Sequence, residues 1–332
     1  MKPSILLILM LAATAPLLYA NSPYIARVYD YTPAPGQFIN LLPMYEEGDT
    51  EANMLEKVSE QLVGRTDGLI CLGAWGGYVT FGFDHPVVNV QGEYDLLVYG
   101  NSIINQAEQP EGYTLGSPEP GIVYVSCDEN NDGIPNDTWY ELAGSEAAQA
   151  NRDYEVTYKN NGRAPIPWTD NEGNSGVIMR NQFHTQASYY PLWREEETYT
   201  LSGTRLPDNV YSDNNNYMFD FGYVDNWPNT DERAKLNLDN AIDAEGKNVV
   251  LTHVDFIRVQ TGTMTAGSLT GEASTEVAGA EDLHPNAPLP TNLWSPKEEQ
   301  LRARKVYKNG ALYIEQNGHL FTIIGQVINK NN

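Results

Sequence analysis

Apolar side chains fall on every second position in run after run of this chain. Val79, Phe81 and Phe83 alternate with Tyr78, Thr80 and Gly82, and Tyr154, Val156 and Tyr158 alternate with Glu155, Thr157 and Lys159. Tyr217, Phe219, Phe221 and Tyr223 alternate in the same way with Met218, Asp220 and Gly222. A period of two builds one apolar face on a pleated strand and cannot build one on a helix, whose period is about 3.6. Tyr94 to Tyr99 is apolar on both sides of Asp95, and Val254 to Val259 adds a further strand. Between these runs lie Gly-, Asn- and Pro-rich turns, and 28 Gly with 20 Pro in 332 residues leave little room for long helices. One stretch does read as a helix. Asp49 or Thr50 caps it, Met54, Leu55, Val58 and Leu62 share a face, and Gly64 stops it. The expected fold is all-β: a two-sheet antiparallel β-sandwich, jelly-roll-like, with one short helix near the N-terminus and a small C-terminal hairpin.

The ends of the chain read differently from its middle. Residues 1–20 carry Lys2, an apolar core from Ile5 to Leu11 and Ala20 at a cleavage position, the pattern of a secretory signal peptide. No Cys follows that position, so no lipoprotein anchor is expected, and no later stretch supplies the roughly 20 apolar residues of a membrane helix. Residues 21–284 are expected to form the sandwich and 285–304 a Pro-rich linker. Residues 305–332 hold two Asn-Gly pairs, Asn309-Gly310 and Asn317-Gly318, a strong hairpin signal.

The stretch Gly121–Leu142 runs an apolar strand straight into Asp128, Asn130, Asp132, Gly133 and Asp137. Oxygen side chains at alternate positions, with Gly at the sixth, suit a hard cation such as calcium. Ile134 would add its carbonyl. The twelfth position is Trp139 and not Glu, so a bidentate ligand would come from Asp137 or Glu141. The same residues also make Asx turns without an ion. Asp95, Glu276, Glu281 and Asp282 would join the cation site only if their strand ends converge on the loop.

For an organic ligand the aromatics are the candidates, since rings on loops stack on sugars and planar groups. Trp168 with Asp170, Tyr189, Tyr190 and Trp193, and Trp227 are the positions expected to bind. A formal charge of −24 argues against a nucleic-acid partner. The five His make no HxxxH or HExxH pair, and no Gly-x-Ser-x-Gly elbow occurs. Cys71 and Cys127 either pair as a disulfide or sit as two free thiols.

Several stretches, taken in order, resemble a family of Bacteroidota cell-surface proteins: Tyr29–Thr50, Leu72–Asn89, Tyr94–Ser102, Glu119–Glu146, Tyr189–Trp193, Leu201–Asn209 and Gly271–His284. The resemblance spans roughly Tyr24 to His284. It implies an exported β-sandwich protein, secreted to the cell surface or outer membrane, with Asp128, Asn130, Asp132 and Asp137 as calcium ligands. Some members lie beside outer-membrane corrinoid (cobalamin) uptake components, which implies ligand capture or scaffolding and not catalysis. The tail from Tyr307 to Ile328 resembles reduced type IX sorting tails. The expected function is therefore a non-catalytic, calcium-stabilised surface protein capturing a corrinoid. The alternatives are a glycan-binding or glycan-hydrolysing sandwich and a structural or adhesive surface component.

Overall fold

The computed structural model describes residues 20–107, 109–163 and 165–289, together with strands at 304–308, 311–316, 319–322 and 327–328. The expected signal peptide therefore lies outside the described residues, apart from Ala20. So do most of the linker and both Asn-Gly pairs. Among the described residues the one α-helix is α1 (Glu51–Leu62). Thr50 caps it: its hydroxyl accepts from the Asn53 backbone N–H, and the Asn53 side chain accepts in return from the Thr50 N–H. This reciprocal pair satisfies two amides that the first turn leaves free. Met54, Val58 and Leu62 bury the inner face.

Six antiparallel strands form the main sheet, in the order Arg27–Thr32, Tyr78–Gly82, Phe256–Thr261, Gly121–Ser126, Trp139–Leu142, Ala241–Ile242. Its centre is apolar because Val79, Phe81, Val123, Val125, Ile257 and Val259 point to one face. That face shares a core with α1 and with a three-stranded sheet, Lys235–Leu236, Leu96–Tyr99 and Gly279–Asp282. Two sheets closing on one core, with a helix at the side, give the sandwich-like all-β fold that the alternation predicts. Each fully buried Val, Ile or Phe there stabilises by about 1.5–3 kcal/mol. The N- and C-terminal borders of this body meet: the Asp282 N–H donates to the Pro23 carbonyl at 2.8 Å.

A separate, four-stranded sheet has its own core. Its order is Ser175–Ile178, Ile166–Asp170, Asn151–Lys159, Thr198–Arg205, again antiparallel. Tyr154, Val156, Tyr158, Ile166, Ile178 and Leu201 pack with Trp75, Tyr189 and Tyr190. Towards the C-terminus, strands Arg304–Lys308, Ala311–Gln316, His319–Thr322 and Val327–Ile328 pair as a four-stranded antiparallel meander, a larger unit than the hairpin expected.

One expected strand is absent as such. Alternation over Tyr217 to Tyr223 gives a strand only at Asn215–Tyr217. Gly222 (φ +91°) and Asp225 (φ +53°) then turn the chain, so Phe219 and Tyr223 reach their small core from a loop. The two cysteines are free. Cys71 Sγ meets Ser274 Oγ at 2.7 Å, and Cys127 Sγ donates to the His253 carbonyl at 3.0 Å.

Candidate functional site

A pocket of about 610 Å³ opens where the four-stranded sheet meets the Gly73–Gly77 turn and the segment 263–273. The sequence LGAWGG builds one wall. Gly73 (φ +75°) and Gly76 (φ +87°) take left-handed conformations that other residues rarely adopt. They hold Trp75 in a tight turn, entirely buried. Its ring meets Tyr154 edge-on, centroids 4.8 Å apart, and its carbonyl accepts from the Tyr158 hydroxyl at 2.8 Å. The opposite wall is Trp168, half-buried, paired across the sheet with Gly176. A Cβ on Gly176 would lie 2.5 Å from the Trp168 ring, so the indole lies over bare backbone. Val177, Met179 and Met264 complete a mostly apolar lining.

Three polar atoms among the lining residues have no hydrogen-bond partner: Trp75 Nε1, Thr263 Oγ1 and Glu272 Oε2. Each belongs to a side chain at least nine-tenths buried. Most buried polar groups are paired, and an unpaired one costs about 1–3 kcal/mol. Glu272 Oε1 accepts from the Gln37 N–H at 2.5 Å, while Oε2 is left over. Burial pushes the Glu272 carboxyl up to about 7, against the pull of its backbone donors.

Glu276, on the same segment as Glu272, belongs to a second group of acids. Glu119, Asp225 and Glu276 bring carboxylate oxygens within 4.8 Å of one another, the one such triad of possible metal ligands among the described residues. Asp225 accepts from the N–H groups of Asn101, Ser102 and Glu276, and Glu119 accepts from the Ser274 N–H. Burial and mutual repulsion push Glu119 to about 8 and Glu276 well above the usual range, and burial alone raises Asp225 to about 6.

The Asp-rich loop stands apart from both. Asp128 accepts from the N–H groups of Asp132 and Gly133, Asn130 accepts from Asp132, and Asp132 accepts from Ile134. Asp137 accepts from the Glu129 N–H at 3.2 Å, and the Ile134 carbonyl accepts from the Asn136 N–H. These Asx turns shape an exposed loop of hard oxygen donors, the donor set that suits calcium. Its carboxylates do not close to the spacing of the buried triad. Glu141 is not part of the loop: Arg152 and Thr204 hold its two oxygens at 3.1 and 2.7 Å. Nor do the other acids converge there. Asp95 is fully buried and accepts from the Val90 and Leu238 N–H groups, Glu281 takes the Tyr99 hydroxyl, and Asp282 pairs with His85.

Of the expected ligand-binding residues, Trp168 lines the pocket. Asp170 closes the turn beside it, accepting from Asn174 and from the Tyr154 hydroxyl. For four others the expectation is corrected, because the core claims their rings. Tyr189 and Tyr190 are buried with satisfied hydroxyls, and Trp193 stacks between Tyr31 and Tyr45. Trp227 is 3% exposed, donates to the Phe219 carbonyl and lies under Arg233, at the border of a shallower 410 Å³ depression. Trp75, Thr263 and Glu272 were not singled out by sequence. The signals were a Trp enclosed by glycines and an acid inside a run of small residues; Thr263 carried none. No protein-family model and no curated protein matches this chain.

Proposed function

We propose that the protein is a non-catalytic binding protein of the cell exterior whose ligand occupies the pocket between Trp75, Trp168 and Glu272. The observation that carries this reading is the set of three enclosed, unpartnered polar atoms around one largely apolar pocket. Small-molecule sites combine that lining with a few orienting polar groups, in volumes of roughly 300–1,000 Å³. Glu272 is the one carboxylate of the lining, whereas glycoside hydrolysis uses a pair. Export is supported by the signal-peptide pattern of residues 1–20. Asp128, Asn130, Asp132 and Asp137, with the Ile134 carbonyl, would hold a calcium ion in the exposed loop, where it would neutralise their charge.

A complete corrinoid is larger than a drug-sized molecule, so the pocket would take one peripheral group of it. The test is calorimetry with cobinamide, cobalamin and a polysaccharide panel, on the native protein and on Trp168→Ala. Binding that falls at least tenfold in Trp168→Ala supports the pocket as the site, and the responding probe names its class. Binding that ignores this substitution overturns the assignment.

A further inference from the structure

We propose that the ligand of this pocket is an organic cation, an ammonium or guanidinium seated against Glu272 with an apolar or aromatic body beside Trp168. The inference rests on the pocket reading above and adds the chemical class.

Valence sets what the ligand must bring. Trp75 Nε1 only donates, so it asks for an acceptor on the ligand; Thr263 Oγ1 serves either way; Glu272 Oε2 asks for a donor. A donor that is also positive is favoured by what surrounds the site. Among the described residues no Lys, Arg or His pairs with Glu272: its Oε1 is held by the Gln37 N–H, its Oε2 has no partner, and Glu119 feels its charge. Trp168, half-buried, supplies aromatic surface in the same pocket, and a cation near a ring face gains about 0.5–2 kcal/mol. Arg180, exposed at the rim, leaves room for a ligand that carries an acceptor or an anionic end away from its ammonium.

The groups that face Glu272 electrostatically are Glu119, Cys71, Tyr158 and Tyr189, with Arg180 at the rim. The four that feel its charge directly are acids, thiol or phenols, so none supplies a fixed positive partner. An enclosed carboxyl without a cation holds its proton towards neutral pH, as the raised value of about 7 shows. A bound ammonium would take the place of that proton.

The experiment uses an isosteric pair, phenethylamine and the neutral 2-phenylethanol, titrated calorimetrically into the protein at pH 6 and pH 8. The expected result is amine binding at least tenfold tighter than alcohol binding. A proton is released on amine binding at pH 6, and Glu272→Gln removes both effects while keeping the side-chain shape. Trp168→Ala, on the half-buried wall, should weaken both probes, and its melting temperature controls for folding. Equal binding of the two probes, still sensitive to Trp168→Ala, overturns the cation assignment and leaves the pocket standing. No binding of either probe at millimolar concentration overturns both.

Discussion

The backbone N–H of Glu276 donates to Asp225 Oδ2 at 3.0 Å, so one buried acid is anchored by the main chain of another. The arrangement draws like charges together and leaves Glu276 Oε1 without a partner. Its consequence is a pH dependence with a definite sign. Glu119 titrates at about 8 in the folded protein against an ordinary 4.5, and Asp225 at about 6 against 3.8. Across that window the folded state binds more protons than the unfolded state. The stability is fully present below about 4 and is lost as pH rises to about 8. The melting temperature should be higher at pH 5 than at pH 8, each kcal/mol moving it by roughly 2–4 °C in a chain of this size. Glu276→Gln should flatten the profile and raise melting at pH 8. A profile that climbs between pH 5 and pH 8 would contradict this.

Gly176 is the floor under the Trp168 indole. In Gly176→Ala the new methyl would sit 2.5 Å from the ring, so the indole must move. Overpacking of this kind costs about 1–3 kcal/mol. Urea unfolding should register that loss, and any ligand bound through Trp168 should weaken in parallel. Unchanged stability and binding would show that the ring has a second resting place.

Thr50→Ala removes one half of the capping box on α1. The expected cost is about 1 kcal/mol, read from the urea midpoint with an unchanged slope. Thr50→Ser should restore most of it.

The Asp-rich loop gives a prediction about metal. Adding calcium should raise the melting temperature and a chelator should lower it, and Asp128→Ala should abolish the difference. Melting that ignores both calcium and chelator would leave the loop as a set of Asx turns, which its hydrogen bonds already describe.

Much of the architecture was legible because burial imposes a period. Tyr154, Val156 and Tyr158 alternate since one face of their strand packs on Trp75, and α1 announced itself through Thr50, Met54, Val58 and Leu62. The pocket was not legible. Trp75, Trp168 and Glu272 come from three segments far apart in sequence, and the segment around Thr263 to Gly271 has no period to read. The aromatics misled for a related reason: proximity to Gly or Pro places Trp193 near a turn but does not say that the turn folds inward on Tyr31. At Tyr217 to Tyr223 alternation persisted, yet Gly222 and Asp225 bent the backbone out of the sheet.

The four-stranded sheet that borders the pocket and the main sheet are assembled over very different chain distances. The four-stranded sheet uses only neighbours between Asn151 and Arg205, whereas the main sheet sets Val79 against Val259. Local pairings close quickly and distant ones late, because a long loop must lose its freedom before any contact compensates it. Trp168 should thus reach its place early, and residues 263–273, which follow directly on the strand ending at Thr261, should arrive last. A ligand that needs both walls would recognise only molecules in which the strand ending at Thr261 has already docked. Its binding would then report completed folding as faithfully as any spectroscopic probe.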